Sequence, residues 1–284
     1  MSFGSAEEPR HNRPGARRRR GRRRLRLLLS LLVLFLISLG VGALFLWRPG
    51  DSVSGTRVVE DSIDSGPEPR IRLINGRGAV SVEGVAGLRS VEFAATKYAR
   101  GRDRDAASRN AAEVPIDVSR EESSFVIETR AGRNAGADYA LRVPTESSLE
   151  IEVGAGDVRV RGLEGDVAVR AEAGDVTVAD GRGSVTAEVA AGDVALSDIR
   201  TETGQAELTV GTGDVTLENL VLGSIEARVE TGDVTLSDRF SGGGRISTRT
   251  GNITSRLPQE DVRELTLEAR VGEVVRKAPA AEGE

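Results

Sequence analysis

From Leu149 onward one phrase recurs along the chain: SLEIEVGAGDVRV, DVAVRAEAGDVTV, SVTAEVAAGDVAL, QAELTVGTGDVTL, SIEARVETGDVTL and a shortened RISTRTGNIT. The glycine before the acid falls at Gly156, Gly174, Gly192, Gly213, Gly232 and Gly251, at intervals of 18, 18, 21, 19 and 19 residues. Each unit must then be one supersecondary piece that cannot bury its apolar row alone. Within a unit, apolar and polar residues alternate. In the third unit Val185, Ala187, Val189, Val194 and Leu196 share a side, and in the fifth Ile225, Ala227, Val229, Val234 and Leu236 do. A period of two is a strand with one buried face. A second glycine often opens the unit (Gly165, Gly183, Gly204, Gly223), so the turns hold residues tolerant of positive φ. Stacked rungs bury the row, each strand pairing with its counterpart about 4.8 Å above. The pattern predicts an all-β, repetitive β-solenoid of the parallel β-helix kind over residues 70–275. A β-sandwich is the alternative, but it has no need of rungs of matched length.

Upstream the pattern is less regular and still β-rich. Ile71-Arg-Leu73 and Val80-Ser-Val82 read as a degenerate first rung. Segments around Phe93, Val118, Phe125 and Tyr139 read as further strands, and residues 99–112, a polar excursion, as an exposed loop. No segment of this part shows a helical period. The strand beginning at Leu265 is expected to close the stack, because an open solenoid end is an aggregation-prone edge. Residues 276–284 read as a disordered tail.

The N-terminal part has another character. Residues 1–26 carry ten arginines against Glu7 and Glu8, while the whole chain has a net charge of −5. A basic tail on an acidic body points to two compartments rather than to a nucleic-acid-binding surface. Residues 27–47 follow without a charge, long enough as a helix to span the roughly 30 Å hydrocarbon core. Arg26 and Arg48 bracket this run and Trp47 suits the interface. The positive-inside rule places a disordered basic tail in the cytoplasm and the C-terminal domain outside, as in a single-pass cell-membrane protein. A cleaved signal peptide is the rival reading, since Val41-Gly42-Ala43 offers small residues to a peptidase. Residues 48–69, rich in Pro, Gly, Ser and acids, read as a flexible linker.

Composition narrows the chemistry. There is no cysteine, and the single histidine, His11, lies in the basic tail. The repeat domain therefore has no thiolate nucleophile, cysteine–zinc site or histidine base. Stacking aligns Asp157, Asp175, Asp193, Asp214 and Asp233 in one column, ending in Asn252. Like charges 4.8 Å apart repel by roughly 0.9 kcal/mol in water and about 3.5 kcal/mol at an effective dielectric of 20. The column must be solvated, bonded to N–H groups or neutralised by cations. Two readings stay open: local turn chemistry, with each carboxylate accepting nearby N–H bonds, and calcium ligation by oxygen donors. The calcium-binding nonapeptide needs paired glycines that are missing here. Carboxylates that obey the repeat read as structural, and aromatic platforms for sugar rings are scarce, so the chain is expected not to be an enzyme. No residue is assigned a catalytic, cofactor-binding or metal-binding role.

Three passages together resemble the bacterial DUF4097 family: IRLINGRGAVSVEG followed by VEFAATKYARG, then ADYALRVPTESSLEIEVGAGDVRVRGLEGDV, then the recurring TGDVTL. The resemblance covers roughly residues 70–257, departing at the last unit, where Asn252 replaces Asp. It implies a right-handed solenoid-like stack in a family named, on architecture, as adhesins, and supplies no catalytic residues. Some relatives are similar to envelope-stress components. Two functions are therefore expected: a surface interaction module binding a protein or polysaccharide, and an envelope-stress sensor. The lipid bilayer is the expected partner of residues 27–47.

Overall fold

The computed structural model describes residues 53–121, 124–132, 134–258 and 264–277; the basic tail and the apolar run at 27–47 lie outside them. Among the described residues no helix is long and apolar enough to cross a membrane. Ser52–Glu284 forms one compact unit.

The chain enters as β1 (Val53–Asp64) and makes two short strands, β2 (Arg70–Asn75) and β3 (Val80–Val85), then the long β4 (Ser90–Gly101). A helix, α1 (Arg104–Ala112), leads to β5 (Ile116–Glu121), β6 (Ser124–Thr129) and β7 (Ala135–Pro144). Regular rungs follow as pairs: β8 (Ser148–Ala155) with β9 (Val158–Arg161), β10 (Val167–Ala173) with β11 (Val176–Ala179), and β12 (Val185–Ala191) with β13 (Val194–Ser197). Three long strands, β14 (Arg200–Thr212), β15 (Val215–Thr231) and β16 (Val234–Thr250), bend around corners from one rung into the next. The stack finishes with β17 (Ile253–Ser255), β18 (Leu265–Val271) and β19 (Val274–Arg276).

Pairing follows the repeat. On one face the order is β5, β6, β2, β8, β10, β12, β14, β15, β16, β18, all parallel except β5 on β6. On the opposite face β1, β4, β7, β3, β9, β11, β13, β15, β16, β17 and β19 follow one another. The register joins equivalent positions, with Val176 opposite Val158 and Val194 opposite Val215. Thus the residues expected inside are inside: Val185, Ala187, Val189, Val194 and Leu196 are at most 3% exposed. Val, Leu, Ile and Ala fill the narrow interior, with Phe125 and Phe240 fully buried among them.

The structure departs from the sequence expectation in three ways, two of them in the N-terminal third. The expected linker is, from Val53 to Asp64, a strand paired with β4 along its whole length. It hides its period because it is an edge strand with a mostly polar surface. The expected loop at 99–112 contains α1, whose N-cap Asp103 accepts the Ala106 N–H at 2.7 Å. The helix is held by backbone proximity rather than an apolar stripe: added Cβ atoms at Gly55 and Gly101 would lie 2.3 Å from Ser108 N and Ala107 N. Lys97, 9% exposed, donates to the Ala112 and Val114 carbonyls at 2.8 Å, placing its charge at the helix C-terminus. Finally, β18 does not close the stack. It is followed by a further strand, β19, and among the described residues nothing pairs with the outer edge of either.

Candidate functional site: the turn column and the open faces

Eight rungs turn from one face to the other at a glycine with φ between 128° and 152°, at Gly78, Gly156, Gly174, Gly192, Gly213, Gly232, Gly251 and Gly272. Two of these, Gly78 and Gly272, escape the sequence reading because Ala79 and Glu273 stand where the motif has Asp. Space demands glycine as much as φ does: an added Cβ at Gly213 would lie 2.0 Å from the Gly192 carbonyl oxygen.

The structure brings the expected column together. Asp175 Oδ1 accepts the Asp193 N–H at 2.9 Å, Asp193 Oδ1 that of Asp214 at 2.8 Å, and Asp214 Oδ1 that of Asp233 at 2.8 Å. Asp157 serves Asp175 at 3.3 Å, Asp233 serves Asn252 at 2.7 Å, and Asn252 Oδ1 serves Glu273 at 3.0 Å. These bonds run between rungs, 18 to 21 residues apart, whereas turn chemistry predicts local ones. The ladder reaches back to Asp138, which accepts the Ala79 N–H at 2.9 Å, and then breaks at Ala79, which has no side-chain oxygen. Burial raises the Asp138 carboxyl above the usual carboxylate range, its bond from Ala79 opposing this. Burial also pushes nearby Tyr98 up to about 12, with the Asp138 charge adding to it.

A second column was missed. Asp180, Asp198, Asn219 and Asp238 have φ of 56°, 55°, 53° and 66°, and Gly162 takes the same place with φ 74°. Each lies six residues after a turn glycine, which is the sequence signal that finds them. Asp and Asn tolerate this left-handed region better than other side chains. Asn219 donates to Asp198 Oδ1 at 2.5 Å. Glu218 sits beside the column, its carboxyl raised by partial desolvation and then by its hydrogen bond to Asp238 and the charges of Asp238 and Asp198.

The two faces differ. On the β8–β18 face, outward residues pair across rungs as ion pairs: Arg72 with Glu152 at 2.6 Å, Arg170 with Glu188 at 2.8 Å and Arg249 with Glu230 at 2.8 Å. All are largely solvated, worth ~0–1 kcal/mol each. The other face is small and mostly uncharged in its middle, with Thr177, Ala195, Thr216, Thr235 and Thr254 stacked in register. The surface has an open depression of about 400 Å³ lined by Glu207, Glu226 and Arg245. Another, of about 750 Å³, lies beside α1 and is lined by Arg100, Arg102 and Arg109. Among the described residues no group of three or more His, Cys, Asp or Glu is placed to hold a metal ion.

A family model described as Toastrack DUF4097 matches residues 87–282. The chain belongs to the Toastrack DUF4097 family. This Toastrack domain's match starts and ends later than the 70–257 resemblance and takes in β18 and β19. Comparison with curated proteins gives no match. Among solved structures the Toastrack chain is similar to a "putative adhesin" from Bacteroides fragilis, with TM-score 0.50 and 14% identity over 78% of this chain and 97% of that one. A "putative cell adhesion protein" from Clostridium sporogenes shows TM-score 0.40 and 12% identity over 80% and 99%.

Proposed function

We propose that this chain is a non-catalytic surface interaction protein, anchored in the cell membrane through residues 27–47, with its Toastrack domain outside the cell. The observation that carries the reading is the stack of parallel strands, in register along both faces and shifted only at the corners of β14, β15 and β16. It offers flat, laterally open faces whose functional groups repeat with the rungs. Such a surface suits an extended or repetitive partner, a polysaccharide or a protein strand, better than a small molecule held in an enclosed pocket. The Thr-bearing face is the better candidate, since its short side chains lose little entropy and few charges are desolvated on contact. The opposite face already spends its charges on its own Arg–Glu pairs. Carboxylates at repeated positions serve the backbone, which supports the non-catalytic part. The adhesion wording attached to the Bacteroides fragilis chain of this fold agrees with the reading.

The test is retention of cells bearing the chain on arrays of wall polysaccharides and matrix proteins, compared with deletion cells. Retention is expected, and Thr177→Arg/Thr216→Arg/Thr235→Arg should reduce it without lowering the melting temperature. Equal retention of both cell types, together with an altered envelope-stress response in the deletion strain, would instead favour a sensor.

A further inference from the structure

The two ends of the stack are built differently. At the N-terminal end β1 and β4 run antiparallel over β7, β5 runs antiparallel on β6, and α1 lies against β1 and β4. The outer strand β1 carries Arg57, Glu60, Asp61 and Asp64, charges of the kind that discourage edge pairing. At the C-terminal end β18 and β19 each have a partner on one side only among the described residues. Val274 is 40% exposed although its equivalents Ile253 and Val234 are buried, and Val271, at the position of exposed Thr250 and Thr231, is 63% exposed.

We propose that this last rung is a homotypic interface, in which β18 of a second copy pairs antiparallel with β18 about a two-fold axis at Ala269. The sequence of the edge selects this partner and this register. Leu265, Leu267 and Ala269 point toward the interior side, Val271 continues their alternation into the exposed turn, and Thr266, Glu268 and Arg270 point outward. Antiparallel partners must share a side. A two-fold at Ala269 sets Glu268 opposite Arg270 of the second copy, twice, and sets exposed Val271 opposite Leu267. A two-fold at Glu268 would instead set Glu268 against itself. The far end differs in kind, its outer strands β1 and β5 carrying charges (Arg57, Glu60, Asp61, Asp64; Asp117, Arg120) that disfavour edge pairing. Head-to-tail growth is therefore disfavoured, and the assembly closes as an isologous dimer rather than extending into a fibre. The inference goes beyond the surface-module reading and does not depend on membrane anchoring.

The chain has no cysteine, so a single introduced one reports the contact cleanly. In the full-length chain in detergent micelles, Ala269→Cys places two thiols across the axis at the spacing of a directly opposed antiparallel pair, about 4.5–5.5 Å between Cα atoms, which a disulfide bridges. Mild oxidation should give a covalent dimer. Thr216→Cys, on the lateral face, should not. Glu268→Arg should weaken dimerisation about tenfold, since symmetry counts each change twice, and adding Arg270→Glu should restore it. Crosslinking at 269 no greater than at 216, or failure of the double charge swap to restore it, overturns the proposal. Dimers that form only after residues 278–284 are deleted overturn it as well, since the chain's own tail would then hold the edge.

Discussion

At the scale of residues, one carboxylate geometry recurs because it solves two problems together. Each ladder aspartate gives an oxygen to a turn N–H in the next rung, and that donor weakens the repulsion along the column. Where an acid lies outside this arrangement it costs stability. Asp238 holds a left-handed φ of 66° and crowds Glu218. Asp238→Gly removes both burdens and should raise stability by about 0.5–1 kcal/mol in urea unfolding, whereas Asp238→Val should lower it. Asp138 pays by burial. Between its unfolded and raised folded pKa the native state holds the extra proton, so stability falls as pH rises through that window. Asp138→Asn keeps an oxygen for the Ala79 N–H. It should melt above the parent at neutral pH, with the gap closing on acidification; a gap independent of pH would show that the charge is not responsible. Of these residues, the Asp157 to Asp233 column was legible because it sits beside a glycine at a fixed interval. Asp138 was not, since its rung replaces the turn glycine with Ala137. The left-handed column hid because Asp and Asn at strand ends read as ordinary loop residues.

At the scale of elements, a rung is a strand, a glycine turn and a second strand, and the turn admits almost no substitution. Gly213→Ala would drive its Cβ to 2.0 Å from the Gly192 carbonyl at a φ of 148°. The expected cost is about 3 kcal/mol or more, read from the shift of the unfolding midpoint. Register has a sharper test. Val194, 1% exposed, points inward and Thr216 outward. Val194→Asp should abolish the cooperative melt by burying an unpaired charge, while Thr216→Asp should leave it nearly unchanged; equal tolerance would contradict the rung. The regular rungs were readable because a period of two and matched turn spacing specify both strand and face. β1 and α1 were not: β1 is an edge strand of polar residues, and α1 buries only Ala107 and Ala111. The contacts that fix α1, Gly55 and Gly101 against its backbone, lie in distant sequence and leave no period.

For the whole molecule, a stack of neighbour-only contacts should need no ion. The ladder oxygens are already committed to N–H donors, so the melting temperature of the full chain should not move with millimolar calcium or chelator; a rise with calcium would reopen the metal reading. The order of the rungs has a different consequence. β2 and β3, made early, lie inside the stack between β6–β7 and β8–β9, which are made later. Arg70 thus meets Ser124 and Ser148, whereas later rungs meet partners only 18 to 21 residues away. Long closures form slowly and short ones fast. A chain emerging N-terminus first therefore carries β2 and β3 without partners until residues 129 and 144 have emerged, and without their second neighbours until residue 161. The rungs beyond can then zip in the order of synthesis, so the domain's exposure to proteases and to misassembly is concentrated in the interval before its own beginning finds a place.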